Sequence, residues 1–323
     1  MSAARWRERS RIVRASRLWR TRTPETFTEK VRYKMLRDRR ELVVAFADKA
    51  GVRDYVERRG AGRYLPLAFG VLDDPEQLRS LDLPDAFVVK PTHGSGAAMV
   101  VSPAASSGQV LPRPEWGWVY RHVLPENASR DVLVQIARVW MTKLYGQGPN
   151  REWAYSRVRP RVIVEEKLEA AGGGIPDDYK FFVFHGHVRY VQVDAGRFDD
   201  RTQDFYTPEW EHLPLSGGPA WIEPPRPRPD RLGEMIALAE LLASETDFVR
   251  VDLYLLPDRI VFGELTSYPA GGESPFYPSS FDREFGSHWT VPRRYRSRVP
   301  TAGRRPQDAP TDLHAPPTEQ RAA

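Results

Sequence analysis

Residues 87–101 read FVVKPTHGSGAAMVV. Phe87-Val88-Val89 is an apolar run with the character of a buried strand, and Ala97 to Val101 is its return partner. Between them stand Lys90, Pro91 and the small loop His93-Gly94-Ser95-Gly96. Proline and glycine in these places favour strand–turn–strand over helix. A loop with so little side-chain bulk lets backbone N–H groups approach a phosphate, and Lys90 brings a positive charge to the same point. An ordinary glycine-rich hairpin with a lysine reaching to solvent gives the same pattern, because a lone glycine loop is a weak signal. The G-x-x-x-x-G-K-[ST] spacing of a Walker loop is absent.

The chain has 323 residues and a hydrophobic content of 41%, enough for two packed domains or one large one. Nine Trp and fourteen Phe exclude a wholly disordered polymer. With no cysteine, disulfides, zinc–thiolate centres and cysteine nucleophiles are excluded, which suits a reducing cytoplasm. No apolar run reaches the length of a membrane span, and arginines interrupt every candidate signal-peptide core. The net charge of +5 is concentrated at the ends. Residues 1–23 interleave arginines with Trp6, Ile12, Val13, Leu18 and Trp19, a composition suited to weak contact with an anionic membrane surface, to nucleic acid, or to a solvated basic extension.

Beyond Pro24, Thr26 and Glu29 form a capping-box pattern ahead of a helix over 30–37. The apolar run 42–47 leads into Asp48-Lys49 and a helix over 49–59. A strand is expected over 64–71 and a short helix from Asp73 to Leu81. Residues 102–116 read as a surface loop and 127–145 as a helix. Residues 161–165 form a second buried strand, ending on carboxylates. YKFFVFHGHVRYVQV reads as a hairpin turning at His185-Gly186. A polar, irregular region is expected from there to Pro229. A strong amphipathic helix covers 230–246, two strands pair around Pro257-Asp258, and the chain to Gly286 is turn-rich. Residues 297–323 are expected to be disordered.

Four further signals gain meaning beside Lys90. Asp48-Lys49 puts a lysine at a helix start, within reach of an anion. Glu165-Glu166-Lys167-Leu168 ends a strand in carboxylates able to accept from a purine amine, or is simply a solvated strand end. In Asp178-Tyr179-Lys180, alternation puts Asp178 and Lys180 on one face, suited to a ribose hydroxyl and a phosphate or to a plain ion pair. Arg250 and Asp252 share one face of a strand, and Glu264 and Thr266 share one face of its neighbour. Hard oxygen donors on paired strands suit Mg²⁺ held with nucleotide phosphates, and an arginine beside them offsets phosphoryl charge.

In this order the segments FADKAGVRDYV, LPDAFVVKPTHGSG, REWAYSRVRPRVIVEEKLE, DDYKFFVFHG, FVRVDLYL and FGELTSYPAGG resemble the TupA-like ATP-grasp family, named for teichuronopeptide synthesis. The resemblance implies an α+β ATP-grasp fold, with ATP between two lobes. The expected division is a basic extension (1–23), a mostly helical N-terminal region (24–85), a first lobe (86–164), a second lobe (165–296) and a tail (297–323). By the same resemblance, Lys49, Lys90, His93, Gly94, Ser95 and Gly96 would hold phosphates. Glu165, Glu166, Lys167 and Leu168 would hold adenine, with Asp178 near the ribose. Lys180 and Arg250 would face the reacting phosphoryl group, and Asp252, Glu264 and Thr266 would face magnesium. The implied activity is carboxylate–amine ligation through an acyl phosphate, using ATP and Mg²⁺. Its donor carboxylate and acceptor amine would belong to a cell-surface polymer precursor, handled in the cytoplasm or at the inner face of the membrane. An ATP-binding partner of glycosyltransferases without ligase chemistry is the alternative. No specific nucleic acid is expected.

Overall fold

A computed structural model describes residues 23–146, 152–170, 174–196 and 201–296. The basic N-terminal extension up to residue 22 and the tail from 297 lie outside the described residues. The first described helix, α1 (Phe27–Arg37), starts as its capping box dictates. Thr26 Oγ1 accepts from the Glu29 amide, and Glu29 Oε2 accepts from the Thr26 amide at 3.3 Å. Helices α2 (Glu41–Ala47) and α3 (Gly51–Arg58) follow. All three pack onto the second of two sheets: Phe27, Val31 and Met35 share a core with Phe182, Phe184 and Phe248, while Phe46, Val52 and Tyr55 join Phe181, Val251 and Leu253. Helices of the region 24–85 thus pack on both faces of that sheet, α1 on one and, through Phe46, Val52 and Tyr55, α2 and α3 on the other.

The first sheet has the order β1-β5-β2-β3-β4. Its strands are β1 (Ala68–Leu72), β2 (Phe87–Pro91), β3 (Ala98–Val101), β4 (Tyr120–Val123) and β5 (Val162–Glu166). All neighbours are antiparallel except β3 and β4. Helix α4 (Arg130–Thr142) covers one face through Leu133, Ile136 and Trp140. The second sheet has the order β10-β9-β6-β7-β8 and is antiparallel throughout. Its strands are β6 (Asp178–Phe184), β7 (His187–Ala195), β8 (Thr202–Tyr206), β9 (Phe248–Leu255) and β10 (Ile260–Thr266). Helix α5 (Leu232–Ala243) packs on it, and α6 (Ser280–Ser287) closes the core around Phe27.

Several elements depart from the sequence reading. The strand expected at 64 begins at Ala68, because Gly62–Tyr64 is a 3-10 turn and Pro66 has no N–H for a ladder. Strand β8 stands where an irregular region was expected, and β4 stands in 117–126, for which no element was expected; YRHV and TQDFY are short and mixed in polarity, so pairing with a neighbour, not propensity, makes them strands. Helix α6, in a region expected to be turns, is held by burial of Phe285 against Phe27, Phe182 and Tyr190.

One buried ion network ties α1 to this core. The fully buried Lys34 donates to Asp247 Oδ1 at 2.6 Å, Thr246 Oγ1 at 3.0 Å and Asp38 Oδ2 at 3.1 Å. Trp289 Nε1 and Tyr295 OH donate to the other Asp247 oxygen at 2.8 and 2.9 Å. Burial opposes ionisation of Asp247, yet Lys34 and these donors overcome it and hold its carboxyl below the usual range. Its contribution to stability is therefore full above the ordinary carboxylate range and is lost as pH falls through the depressed value. Lys34→Met leaves two buried carboxylates short of a counter-charge and is expected to cost about 3 kcal/mol, read by urea unfolding at neutral pH.

Candidate active site

The two sheets face each other across a cleft of about 610 Å³. Strand register fixes what the second sheet presents to it. Tyr254, Asp178, Asp194 and Gln203 form one row across β9, β6, β7 and β8. Glu264, Asp252, Lys180, Gln192 and Phe205 form the next, and Thr266, Arg250 and Phe182 the third. A bulge between Phe262 and Glu264 brings Glu264 opposite Asp252.

At the β9–β10 end the charges converge. Arg250 Nε and Nη2 donate to the two Asp252 oxygens at 2.7 and 2.6 Å. The same Nη2 lies 3.0 Å from Glu264 Oε1 and 3.1 Å from Thr266 Oγ1. Thr266 Oγ1 donates to Glu264 Oε1 at 2.7 Å. Lys180 Nζ bonds Asp178 Oδ2 and reaches Asp252 Oδ2 at 3.2 Å and Asp194 Oδ2 at 3.7 Å. Burial works against every charge here. For Arg250 the Asp252 and Glu264 carboxylates outweigh it and raise the guanidinium pKa. For Glu264, Arg250 and Lys49 outweigh it and hold the carboxyl at about 2. Asp252, at 2% exposure, is pushed upward by burial against the pull of Arg250 and Lys180.

The first sheet answers with cations. Lys90 Nζ lies 2.5 Å from Glu165 Oε2, and Arg53 Nη1 holds Glu165 Oε1 at 3.0 Å. Lys49 Nζ donates to the Gly94 carbonyl, and the Lys49 amide donates to Thr92 O at 3.1 Å, so the start of α3 holds the glycine loop from below. Burial depresses the Lys49 pKa, Glu264 opposing and Lys90 adding to the effect. Asp48 Oδ2 accepts from Arg161 Nη2 at 3.0 Å, ligating this helix start to the first sheet.

An aromatic prop holds the loop in place. Trp118 Nε1 donates to Ser95 O at 2.9 Å, and Tyr145 stacks on the Trp118 ring at 5.6 Å. A Cβ on Gly94 would stand 2.5 Å from that ring, so only glycine fits, while Gly96 has φ +82. Gly94→Ala is expected to push Trp118 aside and weaken nucleotide binding about tenfold. Trp118→Ala removes the clash, so the double variant is expected to lose less than the two single losses combined, by fluorescence titration with a labelled nucleotide.

Of the expected site residues, Lys49, Lys90, Ser95, Gly96, Glu165, Glu166, Lys167, Leu168, Asp178, Lys180, Arg250, Asp252 and Glu264 line this cleft. Thr266 meets it through Glu264 and Arg250. His93 turns away: it is buried, and its Nε2 lies 3.0 Å from Trp140 O. Gly94 sits beneath Trp118, outside the lining. The carboxylates expected to read a purine edge are engaged elsewhere. Glu165 takes Lys90 and Arg53, while Glu166 accepts from the Leu67 amide and from Arg259 Nη2, each at 2.7 Å. The Glu166 amide is also engaged, donating to Leu67 O at 2.9 Å, which leaves the backbone of 167–168 and the side chain of Leu168 at this edge of the cleft. The sequence reading passed over Arg53, Gln192, Asp194, Arg201 and Gln203, which also line the cleft. Alternation along β7 puts Gln192 and Asp194 on one face, a signal already present in the strand pattern.

The residues fit a hard divalent cation: two carboxylates and a hydroxyl already converge on one cationic nitrogen, Arg250 Nη2. Among the described residues no group of three or more His, Cys, Asp or Glu is arranged to hold a metal, so such an ion would take ligands from a nucleotide as well. Asp178 Oδ1 is buried and has no hydrogen-bond partner among the described residues, an acceptor suited to a ribose hydroxyl.

Two five-stranded sheets with helices packed on them, facing each other across a charged cleft, form an α+β architecture. The chain belongs to the TupA-like ATPgrasp family, whose model matches residues 29–290. Similar solved structures include an L-amino acid ligase from Bacillus licheniformis, at 13% identity and TM-score 0.41, covering 71% of this chain and 44% of that one. A D-alanine–D-alanine ligase from Helicobacter pylori matches at 12% identity and TM-score 0.37, covering 76% and 58%. The corresponding ligase from Bacillus anthracis matches at 15% and 0.36, covering 69% and 57%. The chain spans about half the length of these proteins. No curated protein matches it. Among the described residues, no helix is long and apolar enough to cross a membrane.

Proposed function

We propose that the chain is an ATP-dependent carboxylate–amine ligase that works through an acyl phosphate. The observation that carries this reading is the convergence of Asp252, Glu264 and Thr266 on Arg250, with Lys180 beside them, opposite Lys90 and the glycine loop. Such a cleft offers a nucleotide an apolar back edge at Leu168 and a ribose acceptor at Asp178 Oδ1. It offers the phosphates the Lys90 and Lys49 ammonium groups and the backbone N–H groups near Ser95. Mg²⁺ held by Asp252 and Glu264 would neutralise phosphate charge during transfer. An oxygen of the donor carboxylate attacks the terminal phosphorus, and ADP leaves. The amine nitrogen, as the neutral amine, then forms the C–N bond while the C–O bond to phosphate breaks, and the proton it loses leaves with the released phosphate. Arg250 and Lys180, fixed by their carboxylate partners, face the charge that develops in both steps, and they need little rearrangement to do so.

A cell-surface polymer or its precursor is the substrate class we assign, on family membership alone, with the work done in the cytoplasm or at the inner face of the membrane. The test is release of ADP and phosphate, screened over pairs of carboxylates and amines that include uronic-acid polymers and amino acids. Turnover that needs both partners and yields an amide supports the reading. Nucleotide binding without amide formation for any pair points instead to an ATP-binding partner of glycosyltransferases.

A further inference from the structure

The cleft also runs sideways from Lys180, away from the metal-type carboxylates and toward the opposite edge of the second sheet. Beyond Lys180 it runs over β7 and β8, where Gln192, Asp194, Arg201, Gln203 and Phe205 line it. None of these is needed to hold a nucleotide in the arrangement above. Their hydrogen bonding is one-sided. Gln192 Nε2 and Gln203 Nε2 both donate to Asp194 Oδ1, at 3.0 and 2.8 Å. The other oxygen, Oδ2, has Lys180 Nζ at 3.7 Å and Arg201 Nη2 at 3.6 Å, both beyond hydrogen-bond length. Two amides therefore orient the carboxylate, and among the described residues Oδ2 keeps only these two longer ion pairs. Burial opposes ionisation of Asp194, and Lys180, the two amides and Arg201 overcome it and hold the group below the usual carboxylate range. Arg201, with its side chain 51% exposed, stands beside that oxygen with its guanidinium open to the cleft.

A fixed anion and a freer cation side by side complement a molecule that carries both charges on neighbouring atoms. We propose that this wall is the second-substrate subsite and that it takes an α-amino acid, the ammonium on Asp194 Oδ2 and the carboxylate on Arg201. The inference rests on the ligase reading. The bound ammonium nitrogen lies one lysine head away from Asp252, since Lys180 Nζ stands 3.7 Å from Asp194 Oδ2 and 3.2 Å from Asp252 Oδ2. The amine is thus next to the place where an activated carboxylate would form. Arg201 offers a planar fork that matches a carboxylate in two hydrogen bonds. Asp194 is an anchor and a positioning group, not a base, because its depressed pKa makes it a poor proton acceptor.

The test is calorimetry on the full chain saturated with Mg·AMP-PNP. The probes are glycine, L-alanine, L-glutamate and L-lysine, with ethanolamine and acetate as single-charge controls. At least one amino acid is expected to bind at least about tenfold more tightly than either control. Asp194→Asn is expected to weaken that binding about tenfold or more, and Arg201→Gln, at a half-exposed position, about fivefold or more. Saturable AMP-PNP binding by each variant shows that its cleft is folded. Equal affinity of amino acid and ethanolamine, no amino-acid binding by AMP-PNP-loaded protein, or unchanged affinity in both variants overturns the assignment and leaves the ATP reading standing. Failure of the unmodified chain to bind AMP-PNP overturns the ATP reading, and this assignment with it.

Discussion

Asp252→Asn is expected to lower ATP-dependent turnover by about a hundredfold or more while nucleotide affinity falls far less. Asp252 accepts both arms of the Arg250 guanidinium and a bond from Lys180, in a site where it is 2% exposed. Asparagine keeps the shape but presents an NH₂ group to donors on one side and removes the charge that fixes two cations. Both cations then lose their set positions toward the transferring phosphoryl group. That loss is felt in the transition state more than in the bound ground state, which is why the rate suffers more than affinity. Glu264→Gln is expected to act in the same direction with a smaller effect, since Glu264 shares only one Arg250 nitrogen. The double variant should lose less than the two losses combined, because the groups act on one charge cluster. Steady-state kinetics over a magnesium range, with calorimetric nucleotide affinity alongside, separates these outcomes. Unchanged turnover in both single variants would move the phosphoryl chemistry elsewhere in the molecule.

Lys90→Ala is the second large effect, and it falls on binding. The lysine stands at the end of β2, beside the glycine loop, with Glu165 as its partner at 2.5 Å. Removing it leaves Glu165 still paired with Arg53 at 3.0 Å, so the fold should survive. On the proposed function, what would disappear is a charge-assisted contact to nucleotide phosphate, of about 1.5–3 kcal/mol, or roughly 10- to 150-fold in affinity. Calorimetric titration with AMP-PNP measures it, and thermal unfolding of the same sample reports the fold. Wild-type affinity in a folded Lys90→Ala protein would make the lysine a strand-end ion pair and nothing more.

The parts of this cleft that the sequence disclosed are those where charge interrupts a buried strand. Arg250, Asp252, Glu264 and Thr266 stand out because alternation places each pair on one face and strand pairing then joins them, and the register Arg250–Thr266 and Asp252–Glu264 does so. Lys90 and its loop were readable for the same reason. What stayed hidden depends on long-range packing. His93 has the look of a loop ligand, but only the position of α4 shows that it bonds Trp140 O. Strand β8 is too short and too polar to announce itself, so Gln203 and Arg201 could not be set beside Asp194. Of the three N-terminal helices, α1 and α3 gave clear local signals and α2 showed only an apolar run, and no periodicity says which sheet a helix covers. Phe27 and Phe46 both find the second sheet but on opposite faces: Phe27 packs with Phe184 and Phe248, and Phe46 with Phe181 and Val251.

The central claim is that a nucleotide lies between the two sheets, with its phosphates between Lys90 and the Arg250 cluster. Calorimetric titration of AMP-PNP into the full chain, with and without Mg²⁺, tests it most directly. The account predicts one saturable site whose affinity rises with Mg²⁺ and falls in both Lys90→Ala and Asp252→Asn. Saturable binding that ignores Mg²⁺ and both substitutions, or no binding at all, would contradict it.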